Sequence, residues 1–205
     1  MSFALSRSEA LLLLDEWVSS DSLRRHMLAV EAAMRAYAPR FGGDAELWGI
    51  TGLLHDLDYE RYPDLDTGHP RHALVELERR GYPPELIRAI ASHADFMGVR
   101  RETPMERALY AVDELSGFVL ACAYVRPAGL AGLSPRSVRK KLKQPSFAAA
   151  VSREDIARGA AELGVELDEH LQIVITALAA RAEELLPGTE SAEGEQRPRG
   201  ERLTH

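Results

Sequence analysis

The chain of 205 residues contains a single cysteine, Cys122, so no intramolecular disulfide can form. That usage fits a reducing compartment, and a cytoplasmic location is expected. No apolar run is long enough to span a membrane. The opening stretch MSFALSRSEALLLLDEWV lacks the basic start and small-residue cleavage site of a signal peptide. Nowhere do apolar and polar residues alternate over a strand's length, which argues against the β classes. Positive charge is scarce, with 25 Lys and Arg against 32 Asp and Glu. A net charge of −7 argues against a nucleic-acid coat or a membrane-surface binder. After Pro187 the chain runs GTESAEGEQRPRGERLTH, almost without apolar residues, and a disordered tail is expected over 188–205.

What the chain does have is helical signal. Hydrophobic content of 45% and charged content of 28% are those of a soluble globular protein, and the length suits one all-α domain over 1–187. Caps, prolines and apolar stripes predict helices over 8–18, 20–38, 44–57, 69–81, 83–96 and 103–125. Further helices are expected over 134–143, 152–164 and 168–186.

Several polar residues fall on apolar faces. Leu23, His26, Val30, Ala33 and Tyr37 share one stripe by i+3 and i+4 spacing. His55 continues the Trp48 and Thr51 face, while Asp56 continues the face of Gly49 and Gly52. Each helix-interior glycine costs up to about 1 kcal/mol relative to alanine, so close approach of another helix is the natural compensation there. His93 follows Leu86 and Ile90, and Asp113 lies beside the stripe of Leu109, Val112, Ser116 and Leu120. Taken singly, each has a structural explanation, as a satisfied core histidine or a salt-bridged carboxylate. Together they are three histidines and two aspartates pointing inward from four helices. Imidazole and carboxylate are the donor set for Zn, Fe or Mn. Neighbouring His55 and Asp56 can reach one ion that sits over the seam between their faces. His69 shares a face with Ala73 and Leu77 and is a further ligand candidate, whereas His72 lies on the polar side with Glu76 and Arg79. His170, among Asp168 and Glu169, is expected at the surface, and His205 falls in the tail.

This pattern resembles the HD-domain superfamily of metal-dependent phosphohydrolases: a histidine, a His-Asp doublet, and a downstream aspartate on another helix. It maps onto His26, His55, Asp56 and Asp113, with the doublet in the stretch GLLHDLD, and covers roughly residues 20–127. The segments HPRHALVELERRGYPPELIRAIASHADF and AVDELSGF are similar to small bacterial HDIG-type proteins. One branch of the superfamily adds two histidines between doublet and final aspartate and holds two metals. His69 and His93 stand where that branch would need them. The GYP at 81–83 lacks the other marks of the HD-GYP cyclic-di-GMP phosphodiesterases, and LDYE replaces the Glu-Asp pair of the guanosine-tetraphosphate hydrolases.

The resemblance implies one or two divalent ions per chain, with Fe, Mn or Zn fitting the histidine-rich set better than Mg alone. It implies hydrolysis at phosphorus by metal-activated water, with Asp56 bridging, His26, His55 and Asp113 on one ion, and His69 and His93 on the other. Asp58 is a candidate proton carrier. The expected substrate is a small phosphorylated metabolite or a nucleotide, a dinucleoside polyphosphate being one option. Neither nucleic acid nor membrane is expected as a partner. The basic run at 136–143 is either a solvated face or a phosphate-gripping wall made of Arg139, Lys140 and Lys141. The alternative function is a catalytically silent nucleotide- or metal-sensing module, with oxygen-dependent chemistry at two irons as a more distant option.

Overall fold

The computed structural model describes residues 6–186, and among them there are helices and turns but no strand. The tail expected over 188–205 lies outside the described residues, as does His205. Ten α-helices run in order: α1 (Arg7–Trp17), α2 (Asp21–Tyr37), α3 (Ala45–Leu54), α4 (Arg71–Arg79) and α5 (Pro84–His93), then α6 (Pro104–Tyr124), α7 (Pro135–Leu142), α8 (Arg153–Leu163), α9 (Leu167–Ala179) and α10 (Ala182–Leu185). The expected all-α class is observed. No described helix is long and apolar enough to cross a membrane.

Local chemistry sets the helix starts. Asp44 accepts hydrogen bonds from the backbone N–H groups of Glu46 and Leu47, satisfying two of the donors that a helix N-terminus leaves open. Thr103 and Glu106 form a reciprocal capping box at the head of α6. Gly164, with φ +74°, ends α8 in the left-handed conformation that favours glycine.

The centre of the molecule is α3, whose residues from Trp48 to Leu54 are all buried. It lies against α1, α2 and α5, and α2 in turn lies against α6 and α9. The close helix approach expected at the α3 glycines occurs at Gly52, where a Cβ would stand 2.9 Å from the Val30 carbonyl oxygen of α2. At Gly49 the space is filled by the Arg35 side chain instead. Buried side chains from α1 through α10 join one hydrophobic cluster.

Three expectations are corrected. The central helix stops at Leu54 rather than 57, and residues 55–61 continue as successive turns. The fourth helix begins at Arg71, so His69 belongs to the loop before it and not to a helical face. His170 is fully buried rather than superficial. It lies on a stripe with Leu171, Val174 and Leu178, and its acidic neighbours Asp168 and Glu169 point the other way, exposed.

Candidate metal centre

Six side chains converge from five places in the chain. His26 comes from the second turn of α2, His55 and Asp56 from the turn just past α3, His69 from the loop before α4, His93 from the last position of α5, and Asp113 from mid-α6. His26 Nε2 lies 3.0 Å from Asp113 Oδ1 and 3.3 Å from His55 Nε2. His55 Nε2 lies 3.4 Å from both Asp113 Oδ1 and Asp56 Oδ2. The other oxygen of Asp56, Oδ1, faces His69 Nε2 at 3.5 Å and His93 Nε2 at 3.7 Å. His26, His55 and Asp56 thus form one group with donor atoms close enough for a single cation, and Asp56, His69 and His93 form a second.

The donor set fits metal. Two donors each about 2.1 Å from one ion stand about 3.0 Å apart at a right angle and about 3.4 Å apart at the tetrahedral angle. The separations around His26 and His55 fall in that range, and the two from Asp56 Oδ1, at 3.5 and 3.7 Å, lie just beyond it. The tautomers agree as well. His55 Nδ1–H donates to the Gly52 carbonyl at 2.8 Å, and His93 Nδ1–H donates to the Ile90 carbonyl at 2.5 Å. His69 Nδ1–H donates to Asp58 Oδ1 at 2.8 Å. Each bond leaves the Nε2 lone pair aimed inward, where only a cation or a proton satisfies it.

Electrostatics tell the same story. Burial pushes the His55 imidazole down, but the Asp56 and Asp113 carboxylates outweigh burial and hold it well above the ordinary histidine range. Burial pushes both aspartates up, and the adjoining His55 and His26 rings overcome it, holding them well below the carboxylate range. The cluster is a place where positive charge is strongly favoured.

It opens into a cavity of about 1000 Å³, bordered by Leu23, Tyr59, Phe96 and Val151 on its apolar sides. Glu114 also lines this cavity and was not singled out from the sequence. Its only early signal is a second carboxylate beside Asp113 in an otherwise apolar helix. Burial, then the Asp113 charge, push its carboxyl up to about 7.

Asp58 and the basic residues of α7 lie elsewhere, and several arginines and a tyrosine close to the ligand-bearing segments in sequence have other partners. Asp58 is fully buried and does not line the cavity, because its oxygens are taken by His69 Nδ1–H and the Ala73 backbone N–H, at 2.8 Å each. Neither oxygen therefore faces the cavity, where the expected proton carrier would have to stand. Arg139, Lys140 and Lys141 line separate cavities on α7 and none borders the metal cluster, so they form no phosphate wall there. Arg61, Arg71 and Arg101 are held by Glu16, Leu65 and Glu162 respectively. Tyr62 stacks on the exposed His72, with ring centroids 3.8 Å apart.

Residues 23–117 match the family model described as HD domain, a span that contains all six converging side chains. No curated protein and no solved structure matches the chain significantly. HD domains form a superfamily of metal-dependent hydrolases that bind divalent metals. By this match residues 23–117, a little under half of the chain, are an HD domain.

Proposed function

We propose that the chain is a metal-dependent phosphohydrolase with two divalent ions, acting on a small phosphorylated metabolite or nucleotide. The observation that carries this reading is Asp56, whose two oxygens face two different pairs of histidines. His26, His55 and Asp113 would hold one ion and His69 and His93 the other, with Asp56 shared between them. Fe, Mn or Zn suit these donors better than Mg alone. Bound there, such ions would lower the pKa of water from about 16 towards about 7 and neutralise phosphoryl oxygens.

The chain supplies the rest. Backbone carbonyls and Asp58 fix the rings so that Nε2 points inward. Tyr59 and Phe96 give the cavity planar walls for the body of a substrate. No lysine or arginine lines the cavity among the described residues, so phosphoryl recognition rests on the ions. That favours a substrate presenting one phosphoryl group over an extended polyphosphate.

The test is metal content per chain, by elemental mass spectrometry on untagged protein purified without chelator, beside phosphate release from a panel of phosphoesters. About two ions, falling to about one in His93→Ala, with release from at least one ester, is the expected result. No retained metal after reconstitution with Mn or Fe overturns the reading. Tight binding of phosphoesters without cleavage would assign a sensing module instead.

A further inference from the structure

The whole chain has three lysines, and all three lie at positions 140, 141 and 143; every other cationic side chain is an arginine. Most of those arginines are engaged by carboxylates or carbonyls, as Arg7, Arg35, Arg88 and Arg101 are. On α7 the pattern differs. Arg139 pairs with Asp168 at 3.0 Å and the Lys141 ammonium lies over the Phe147 ring. Among the described residues, Arg136, Lys140 and Lys143 have no ion pair or side-chain hydrogen bond.

Those three fall at i, i+4 and i+7, one stripe along about 10 Å of helix. Val138, on the opposite side, is buried and anchors the helix. The stripe borders a cavity of about 550 Å³. A second cavity of about 250 Å³ shares Ser137 and Lys140 with it, and is walled by Cys122, Val125 and Leu133. A cationic cleft therefore runs into one whose apolar wall, Cys122, Val125 and Leu133, faces Arg126, Lys141 and Gln144. Isolated like charges on one helix face are mutually repulsive, and a multiply charged anion relieves that repulsion. Lysine suits the task, since its ammonium is a mobile point charge with three donors that adapts to phosphate oxygens.

We propose that α7 and the end of α6 form a second ligand site, separate from the metal centre, that binds a nucleoside di- or triphosphate. The phosphates lie along Arg136, Lys140 and Lys143, and the base enters the smaller cavity beside Val125 and Leu133. The combination of a cationic cleft with an annex that has one apolar wall and polar groups opposite favours this occupant over the backbone of a nucleic acid, which would use charge alone.

The experiment is calorimetric titration of metal-loaded, full-length protein with the non-hydrolysable ATP analogue adenylyl imidodiphosphate. Tripolyphosphate and a 20-base-pair DNA duplex serve as comparison probes. All three stripe residues are exposed, so the Arg136→Gln/Lys140→Gln/Lys143→Gln variant is expected to keep the wild-type melting temperature. The analogue should bind the variant at least tenfold more weakly, and bind Asp113→Asn within twofold of wild type. Tripolyphosphate should bind wild type more weakly than the analogue. Unchanged affinity in the triple variant overturns the site, as does loss of binding in Asp113→Asn, which would place the analogue in the metal cavity. Equal affinity for tripolyphosphate overturns the base pocket, and tighter binding of the duplex assigns the face to nucleic acid. None of these results depends on turnover at the metal centre, so this site and the proposed hydrolase fail separately.

Discussion

Asp58 holds His69: its Oδ1 accepts from the Nδ1–H of His69 at 2.8 Å, while its Oδ2 accepts from the Ala73 backbone N–H at 2.8 Å. Both donors are buried, so a residue offering one acceptor oxygen leaves one of them orphaned. Asp58→Asn is such a change. Loss of a partner that orients a ligating histidine typically costs 10–100-fold in metal affinity. Asp58→Asn is therefore expected to weaken the more weakly held ion by about 10–100-fold, measured by competition with a chelating dye. Wild-type affinity would remove His69 from the ligand set or Asp58 from its support.

Gly52 sets how closely α2 and α3 pack, and these helices carry or lead into His26, His55 and Asp56. A Cβ there would stand 2.9 Å from the Val30 carbonyl oxygen and 3.0 Å from Met34 Cγ. Alanine has the better helix propensity by about 1 kcal/mol, but overpacking against backbone costs typically about 1–3 kcal/mol. Gly52→Ala is expected to lower the urea midpoint and weaken metal binding together. A raised midpoint would show that the two helices separate freely.

The two kinds of sequence signal fared differently. Helix positions were legible because caps and stop residues act locally: Asp44, Thr103, Pro104 and Gly164 sit where their chemistry places them. His26, His93 and Asp113 were legible as inward-facing because they lie on helices whose other buried residues share the stripe. His69 came to attention through a helical face it does not occupy. Its place is set by a loop, where its N–H donates to the Tyr62 carbonyl and its ring to Asp58. Asp58 itself is a candidate proton carrier on sequence alone because periodicity does not foresee the turns over 55–61 that tuck it inside. Convergence of six donors on one point depends on helix packing, which spacing along the chain does not encode.

His170 is a proton-linked element of the core. The Tyr37 hydroxyl donates to its Nδ1 at 2.6 Å and its Nε2–H donates to the Ala111 carbonyl at 2.9 Å, so the ring is neutral. Burial holds its pKa below the ordinary 6.5. As pH falls, the unfolded chain takes up the proton before the folded chain does. The stabilising contribution is thus complete above pH 6.5 and is lost as pH drops through the folded value. The melting temperature of wild type should fall from pH 7 to pH 5 more steeply than that of His170→Gln. Parallel slopes would place the proton uptake elsewhere.

Glu31 is a fully buried carboxylate on α2 that ties three parts of the chain together. It accepts from Arg7 Nε at 2.6 Å, Arg7 Nη2 at 2.9 Å and Arg35 Nε at 2.8 Å, with Arg181 Nη2 at 4.0 Å. Arg7 opens α1 and Arg181 precedes α10, so one carboxylate joins both ends of the described chain to α2. Replacing a buried pair wholesale by apolar groups can be neutral, but removing one partner leaves the other's charge without compensation. Glu31→Leu leaves Arg7 with Glu184 and Arg35 with Glu46 as their remaining, more exposed partners, and should cost about 3 kcal/mol in urea unfolding. Arg181→Leu removes the longest contact to Glu31 and a part-exposed pair with Glu184, and should cost no more than about 1 kcal/mol. Metal content per folded chain should stay at the wild-type value in both, because Glu31 does not border the cavity over the metal cluster. Equal costs in the two variants would mean that Arg181, rather than Arg7 and Arg35, is the main partner in solution.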